Sequence, residues 1–173
     1  PPSALAVASS NDGSFRIPIG LNQGGETEYL SFFGSCQNYL MSGATGSGKS
    51  NALHVIMHMA LKHIPDLELY VLDFKQGVEF APYAKLNHPA LRILAIECIP
   101  EFGISVLRHI KQKIQEIAKL YHRSGAEDHI SFFEKTGKRI PVTLLIIDEF
   151  QHLFDGSDAE ECSEIIEYIA TEG

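Results

Sequence analysis

Gly43-Ala44-Thr45-Gly46-Ser47-Gly48-Lys49-Ser50 satisfies G-x-x-x-x-G-K-[ST] at every constrained position. It stands between a short strand-like run, Gln37 to Met41, and an apolar stretch of helix length, Asn51 to His63, that holds no Gly or Pro. A strand handing over to a helix through such a loop confines the chain to the α/β class more tightly than any other segment does. The glycines let main-chain N–H groups turn inward around an anion, and the following helix aims the positive end of its dipole at the same point. This is the Walker A arrangement, and the expected ligands are ATP and Mg2+. Gly43, Ala44, Thr45, Gly46, Ser47, Gly48, Lys49, Ser50 and Asn51 are the candidate nucleotide-binding residues. Lys49 is expected to neutralise charge between the β- and γ-phosphates, and the Ser50 hydroxyl to be a metal ligand. A lone glycine cluster is more often a flexible turn, so the weight here comes from the strand before and the helix after.

The 173 residues fit one domain, and 45% hydrophobic with 21% charged residues is ordinary for a globular chain with a substantial core. No apolar run reaches the roughly eighteen residues a membrane span needs, and the first residues lack a signal peptide's layout, so this segment is expected in the cytoplasm without membrane contact. Cys36, Cys98 and Cys162 match neither a zinc pattern nor a disulfide framework and read as reduced thiols. A net charge of −8 is the wrong sign for holding nucleic acid over a broad surface, so any DNA contact has to be local.

Residues 1–14, rich in Pro, Ala and Ser, read as a linker or terminal edge with no fold of its own, and 15–173 as the folded part. Phe15 to Ile19 is expected to be an edge strand, because Pro18 is tolerated only there, and Gly24-Gly25 turns the chain into Tyr29 to Phe33. Pro65-Asp66 breaks the first helix, after which Leu67 to Asp73 and Leu91 to Ile96 read as strands. Pro100-Glu101 opens a long amphipathic helix on Val106, Leu107, Ile110, Ile114, Ile117 and Tyr121. Pro141 to Ile147 is the most hydrophobic strand and is expected at the centre of a parallel sheet, buried on both faces. Ser157 with Glu160 resembles a capping box for a last helix that turns Ile165, Ile166 and Ile169 inward. Strands alternating with helices predict a layered α/β fold, a mainly parallel sheet with helices on both faces, whose ligands gather at the carboxyl ends of the strands.

At such an end, Leu144-Leu145-Ile146-Ile147 runs into Asp148-Glu149, the layout of a Walker B element. Asp148 is then expected to hold Mg2+ opposite Ser50, and Glu149 to orient or deprotonate the water that attacks the γ-phosphate, so the catalytic candidates are Lys49 and Glu149 and the metal candidates Ser50 and Asp148. His54 and His58 have a zinc-compatible spacing, but Val55 replaces the Glu of a metalloprotease, and they read as core or interface residues. Arg108, Lys111, Lys113, Lys119 and Arg123 set five bases against Glu116 on the long helix; a solvated face is the plain reading, a phosphate- or subunit-facing one the alternative.

Together these residues resemble the motor domain of the FtsK/SpoIIIE family, in the FtsK-HerA group of RecA-like P-loop ATPases. The resemblance runs through Ile17-Pro18-Ile19-Gly20, the phosphate loop, Leu72-Asp73-Phe74-Lys75-Gln76-Gly77 and Leu145-Ile146-Ile147-Asp148-Glu149-Phe150. It implies an ATP-hydrolysing subunit of a homo-oligomeric, hexameric ring that translocates double-stranded DNA, or, in a secretion branch of type VII, a polypeptide. A nucleotide-binding regulatory module without turnover is the reading from another class. The resemblance places Asp73 and Lys75 near the nucleotide or a subunit boundary, and Gln76 where a glycine is common. It also implies that the family motor continues beyond Gly173 to a polar sensor and an arginine finger, so that 15–173 is expected to be a partial motor domain with slow turnover by itself, tethered or not to a membrane through other segments.

Overall fold

The computed structural model of the protein describes residues 8–9, 15–32, 38–44, 46–75 and 79–173. The chain divides into two compact units, Pro1–Pro65 and Asp66–Gly173. In the first, β1 (Ala8–Ser9), β2 (Phe15–Leu21) and β3 (Thr27–Phe32) form an antiparallel sheet in that order. The β2–β3 turn is built by Asn22, whose Oδ1 accepts the amides of Gly24 at 2.9 Å and Glu26 at 3.0 Å, an Asx turn in which a side chain replaces a main-chain acceptor. Ala8 and Ser9, inside the stretch read as a linker, are strand residues; the rest of 1–14 lies outside the described residues.

The expected edge strand at Phe15 is flanked on both sides, since Arg16 pairs with Ala8 and with Ser31. Pro18 is nevertheless at a local edge. The β1 ladder reaches only Phe15 and Arg16, so at Pro18 the described neighbour is Tyr29 alone, and the register shifts before Gly20. The run expected as a strand before the phosphate loop is not one: Asn38 to Met41 take no strand conformation, and Leu40 is 80% exposed. A strand needs a neighbour for its main-chain groups, and among the described residues none pairs with this run. Tyr39 instead hydrogen-bonds through its hydroxyl to the main chain of Ser31. Gln37 lies outside the described residues.

α1 (Lys49–His63) packs on β2 and buries Ile56, Met57, Met59 and Ala60. Its last turn carries Lys62 and His63, which favour the negative end of the helix dipole.

The second unit is a parallel sheet of β4 (Leu67–Asp73), β5 (Leu91–Ala95) and β6 (Val142–Asp148) in the order β5-β4-β6. The central strand is therefore β4, and it is buried at every residue except Glu68. β6, expected at the centre, lies at an edge among the described residues, and Val142 to Leu145 are only half-buried. A continuous apolar run marks a strand as internal in character, but its place in the order is decided by which neighbours pair with it.

α2 (Ala81–Ala84) is a single short turn between β4 and β5. α3 (Pro100–Ser124) starts with Pro at its first position, where the missing N–H costs nothing, and ends at Gly125 with φ +66. Its Val106 and Ile110 pack with Tyr70 and Leu72 of β4, while Ile104 and Leu107 join Leu153, Cys162 and Ile165. Burying one such side chain stabilises the fold by about 1.5–3 kcal/mol. α4 (His129–Thr136) follows, then β6, a 3₁₀ helix at Phe150–Phe154, and α5 (Ala159–Glu172). Because Leu145 and Ile147 line both clusters, α3 and α5 share one face of the sheet.

The expected Ser157–Glu160 box does not form. Asp158 holds the N-cap position of α5 without a side-chain cap, and Ser157 Oγ donates to Asp158 Oδ1 at 3.0 Å. The box that does form is on α4, where Asp128 Oδ1 accepts the Ser131 amide at 2.8 Å and Ser131 Oγ accepts the Asp128 amide at 3.1 Å.

Candidate functional site

In the first unit, the loop candidates turn as their glycines require. Gly46 at φ +80 and Gly48 at φ +93 occupy the left-handed region, where a Cβ is strained. The turn is closed by Ser47 N–H donating to the Ala44 carbonyl at 3.0 Å, and the helix ladder begins with Ala52 N–H to Gly48 at 2.9 Å. Gly48, which has no side chain to cap with, is the N-cap of α1, and the first turn of the helix contains no acidic residue. The first-turn amides of a helix have no intrahelical acceptor, so an acid-free start behind a glycine N-cap, with its loop exposed, is suited to an anion. Lys49 and Ser50, the first two helical residues, are half-buried, and Asn51 is exposed. Thr45 lies outside the described residues. These observations fit a bound phosphate group by the chemistry of the donors.

In the second unit, the parallel register sets Asp73, the last residue of β4, directly beside Asp148, the last of β6. Both are buried, at 1% and 3% exposure, which is unusual for carboxylates and places two acids at one carboxyl edge of the sheet. Burial, chiefly, holds the Asp73 carboxyl above the usual carboxylate range; the charges of Asp148 and Glu79 push the same way, and the Lys75 amide and ammonium oppose them. Asp148 Oδ1 accepts the Glu149 amide at 3.1 Å.

Glu149 has φ +54, ψ +46, a left-handed conformation that a residue with a side chain adopts at a cost. Its carbonyl accepts the His152 amide at 3.0 Å, and its Oε2 accepts from Gln151 Nε2 at 2.5 Å. The strained residue thus turns the chain sharply out of β6 into the 3₁₀ helix immediately after the buried Asp148. Nothing in the sequence pattern announces that conformation. Beside this edge, burial, chiefly, pushes the Cys98 thiol up to about 11, so it is protonated and inert at neutral pH.

The remaining candidates sort by their surroundings. His58 is exposed and His54 half-buried, so neither is a core histidine, and among the described residues no group of His, Cys, Asp or Glu is arranged to hold a metal ion. Of the five bases on α3, three are engaged within the unit. Arg108 grips Glu161 with Nε at 2.7 Å and Nη2 at 2.5 Å and has Asp158 at 3.7 Å. Lys111 Nζ lies 5.2 Å from the Tyr168 ring centre. Lys113 pairs with Glu68 and donates to Thr143 Oγ1 at 2.8 Å. Among the described residues, Lys119 and Arg123 are the two of the five that are exposed without such a use. Cys98 and Cys162 are free thiols; Cys36 and Gln76 lie outside the described residues. No described helix is long and apolar enough to cross a membrane.

The FtsK/SpoIIIE family profile matches residues 5–167. The ESX secretion system protein EccC of Thermomonospora curvata is 37% identical over 165 residues, covering 88% of this chain and 12% of that protein. The DNA translocase SftA of Bacillus subtilis is 31% identical over 121 residues, covering 66% of this chain and 12% of that protein. The chain thus spans roughly an eighth of these relatives' length. A solved structure of the pCW3 conjugation coupling protein TcpA, in a monomer form with ATPγS, has a TM-score of 0.62 at 23% identity, over 92% of this chain and 42% of that one, a likeness of fold. With the profile matching nearly the whole sequence, and with the phosphate loop and the paired strand-end carboxylates in place, the chain belongs to the FtsK/SpoIIIE family.

Proposed function

We propose that the chain is the nucleotide-binding and hydrolysing part of an ATP-driven translocating motor that works as a homo-oligomeric ring. The observation that carries this reading is the start of α1: a helix opened by left-handed glycines, with a glycine at its N-cap and no first-turn acid, followed at once by Lys49 and Ser50. A helix left in that state is stabilised by an external anion, and a triphosphate supplies one.

In this reading the loop amides from Gly43 to Ser50 and the Lys49 ammonium hold the phosphates. The Ser50 hydroxyl and the Asp148 carboxylate hold Mg2+, which when bound neutralises charge between the phosphates. Glu149 orients the attacking water and accepts its proton. The turn at Glu149 favours that assignment, because strain of this kind persists where the neighbouring structure holds a side chain in one direction. The isolated 173 residues are expected to bind Mg2+-ATP and to turn it over slowly, since an arginine supplied in trans is worth about 10³–10⁵ in rate in motors that use one.

The cargo we assign is duplex DNA, in keeping with the likeness to SftA, whose name is that of a DNA translocase. With a net charge of −8 and most of the α3 bases already engaged, the DNA contacts have to be few and local. The 37% identity to EccC favours a second reading, a secretion ATPase moving a polypeptide. The ATPase rate of the intact protein, with and without duplex DNA at low and high salt, separates the two. Stimulation by duplex that fades as salt rises is the expected result. A rate unmoved by DNA but raised by a polypeptide overturns the DNA assignment, and no ATP turnover under any condition overturns the motor reading.

A further inference from the structure

The charge of this chain is sorted along it. Residues 119–139 carry five Lys and Arg against three acids, whereas 140–173 carry nine acids and no Lys or Arg. The fold of the second unit makes a surface of each. At the far end of α3, Lys135 Nζ donates to the Gly125 carbonyl and the Phe132 ring lies 5.8 Å from that of Tyr121, so α4 is held against the last turn of α3. Lys119, Arg123, Lys135, Lys138 and Arg139 are all exposed around this corner, and the Arg139 guanidinium stands 5.4 Å from the centre of the exposed Phe133 ring. Of the three acids, Asp128 is engaged in capping α4.

On α5, Glu160, Glu164 and Glu167 recur at spacings of four and three, which puts them on one face, and all three are exposed. Cys162 and Ile165 hold the opposite face in the core, while Glu161 pairs with Arg108 of α3. α5 ends beside Ile114, so Lys119 and Arg123 lie farther along α3 than α5 reaches. Among the described residues no base of the corner pairs with an acid of α5. Two copies that meet α5 on α5, or corner on corner, set like charges together; corner on α5 sets opposite ones. Arg and aromatic side chains, which the corner presents in Arg139 and Phe133, are also enriched where proteins meet proteins.

We propose that the basic corner of α3 and α4 is an interaction surface that receives the acidic face of α5 from a second copy of this chain. The inference rests on the homo-oligomeric reading above and supplies the surfaces through which copies meet. A pair joined by one such contact keeps a free corner and a free α5 face, which is the condition for a head-to-tail assembly to grow and close. Exposed charges act chiefly through steering and partner choice, so the assembly is sensitive to salt.

Sedimentation velocity of the intact protein, with circular dichroism to verify folding, tests this by charge exchange. Lys119→Glu/Arg123→Glu/Lys138→Glu and Glu160→Lys/Glu164→Lys/Glu167→Lys are each expected to weaken self-association by about tenfold or more, and an equimolar mixture of the two to recover to within about threefold of wild type. Recovery is the decisive result, because a variant damaged in its fold is not rescued by one damaged elsewhere. Either variant associating as tightly as wild type, or a mixture no tighter than its components, overturns the inference. So does a corner variant that assembles normally and loses only its affinity for duplex DNA, which would make the corner a nucleic-acid surface. If a reversed variant does not fold, Lys119→Gln/Arg123→Gln decides: wild-type association is expected to weaken as salt rises and the variant's less steeply, and equal slopes contradict the proposal. A wild-type protein that stays monomeric at every concentration and salt sinks the oligomeric reading instead.

Discussion

A residue with a Cβ held at φ +54 costs about 1 kcal/mol or more, and Glu149 bears that cost beside a buried Asp148. Glu149→Gly is therefore expected to raise the melting temperature slightly while ending ATP turnover, and calorimetry with a phosphate-release assay on the same sample checks both. A variant that loses stability would show that the glutamate side chain's bond with Gln151 outweighs the strain. The opposite logic governs Asp128, whose carboxylate caps α4 and whose carboxyl is held below the usual range mainly by the Ser131 amide. Asp128→Ala is expected to cost about 1 kcal/mol at neutral pH. Because the folded-state value is depressed, the contribution is present above the ordinary value of 3.8 and is lost as pH falls through the lowered one, so wild type and variant converge in acid. Denaturant melts of both proteins across pH 2–7, on the order of the cap's titration range, measure the convergence.

At the scale of elements, α3 crosses the 3₁₀ helix at Gly103, where a Cβ would meet Leu153 Cδ2 at 2.6 Å and Phe74 Cζ at 2.7 Å. Gly103→Ala is expected to destabilise by about 1–3 kcal/mol through overpacking and, by moving Phe74 and Leu153, to slow turnover; unchanged chemical melts would show that the two side chains give way freely. The strands β4 to β6 and the helices α1, α3 and α5 were legible because long apolar periods and Pro or Gly boundaries are written locally. Strand order was not: β6 is the most apolar run, yet β4 is central, since pairing is a property of neighbours that a single run does not encode. Caps failed for a related reason. Ser157 and Asp158 both qualify by residue type, and the competition between adjacent candidates is settled by main-chain angles, with Asp158 at φ −105, ψ 27. The bases of α3 resembled a free face because their acidic partners, Glu161 on α5 and Glu68 on β4, are remote in sequence. Of the site, the loop and Asp148-Glu149 stood in the motif itself, whereas the pairing of Asp73 with Asp148 required the register of the sheet.

At the scale of the molecule, the proposed function asks one nucleotide to engage both the phosphate loop of Gly43 to Ser50 and Asp148 at the end of β6. A net charge of −8 disfavours an added triphosphate, so a metal that neutralises part of the phosphate charge is expected to strengthen binding. If Asp148 holds the metal that rides on ATP, its removal has to erase the benefit of the metal without touching what the loop alone contributes. The decisive measurement is ATP affinity with and without Mg2+ in the wild-type protein and in Asp148→Asn. The account predicts that Mg2+ tightens binding to the wild type by tenfold or so and has little effect on Asp148→Asn, whose metal-free affinity equals or exceeds that of the wild type. An Asp148→Asn protein that gains as much from Mg2+ as the wild type does would contradict it.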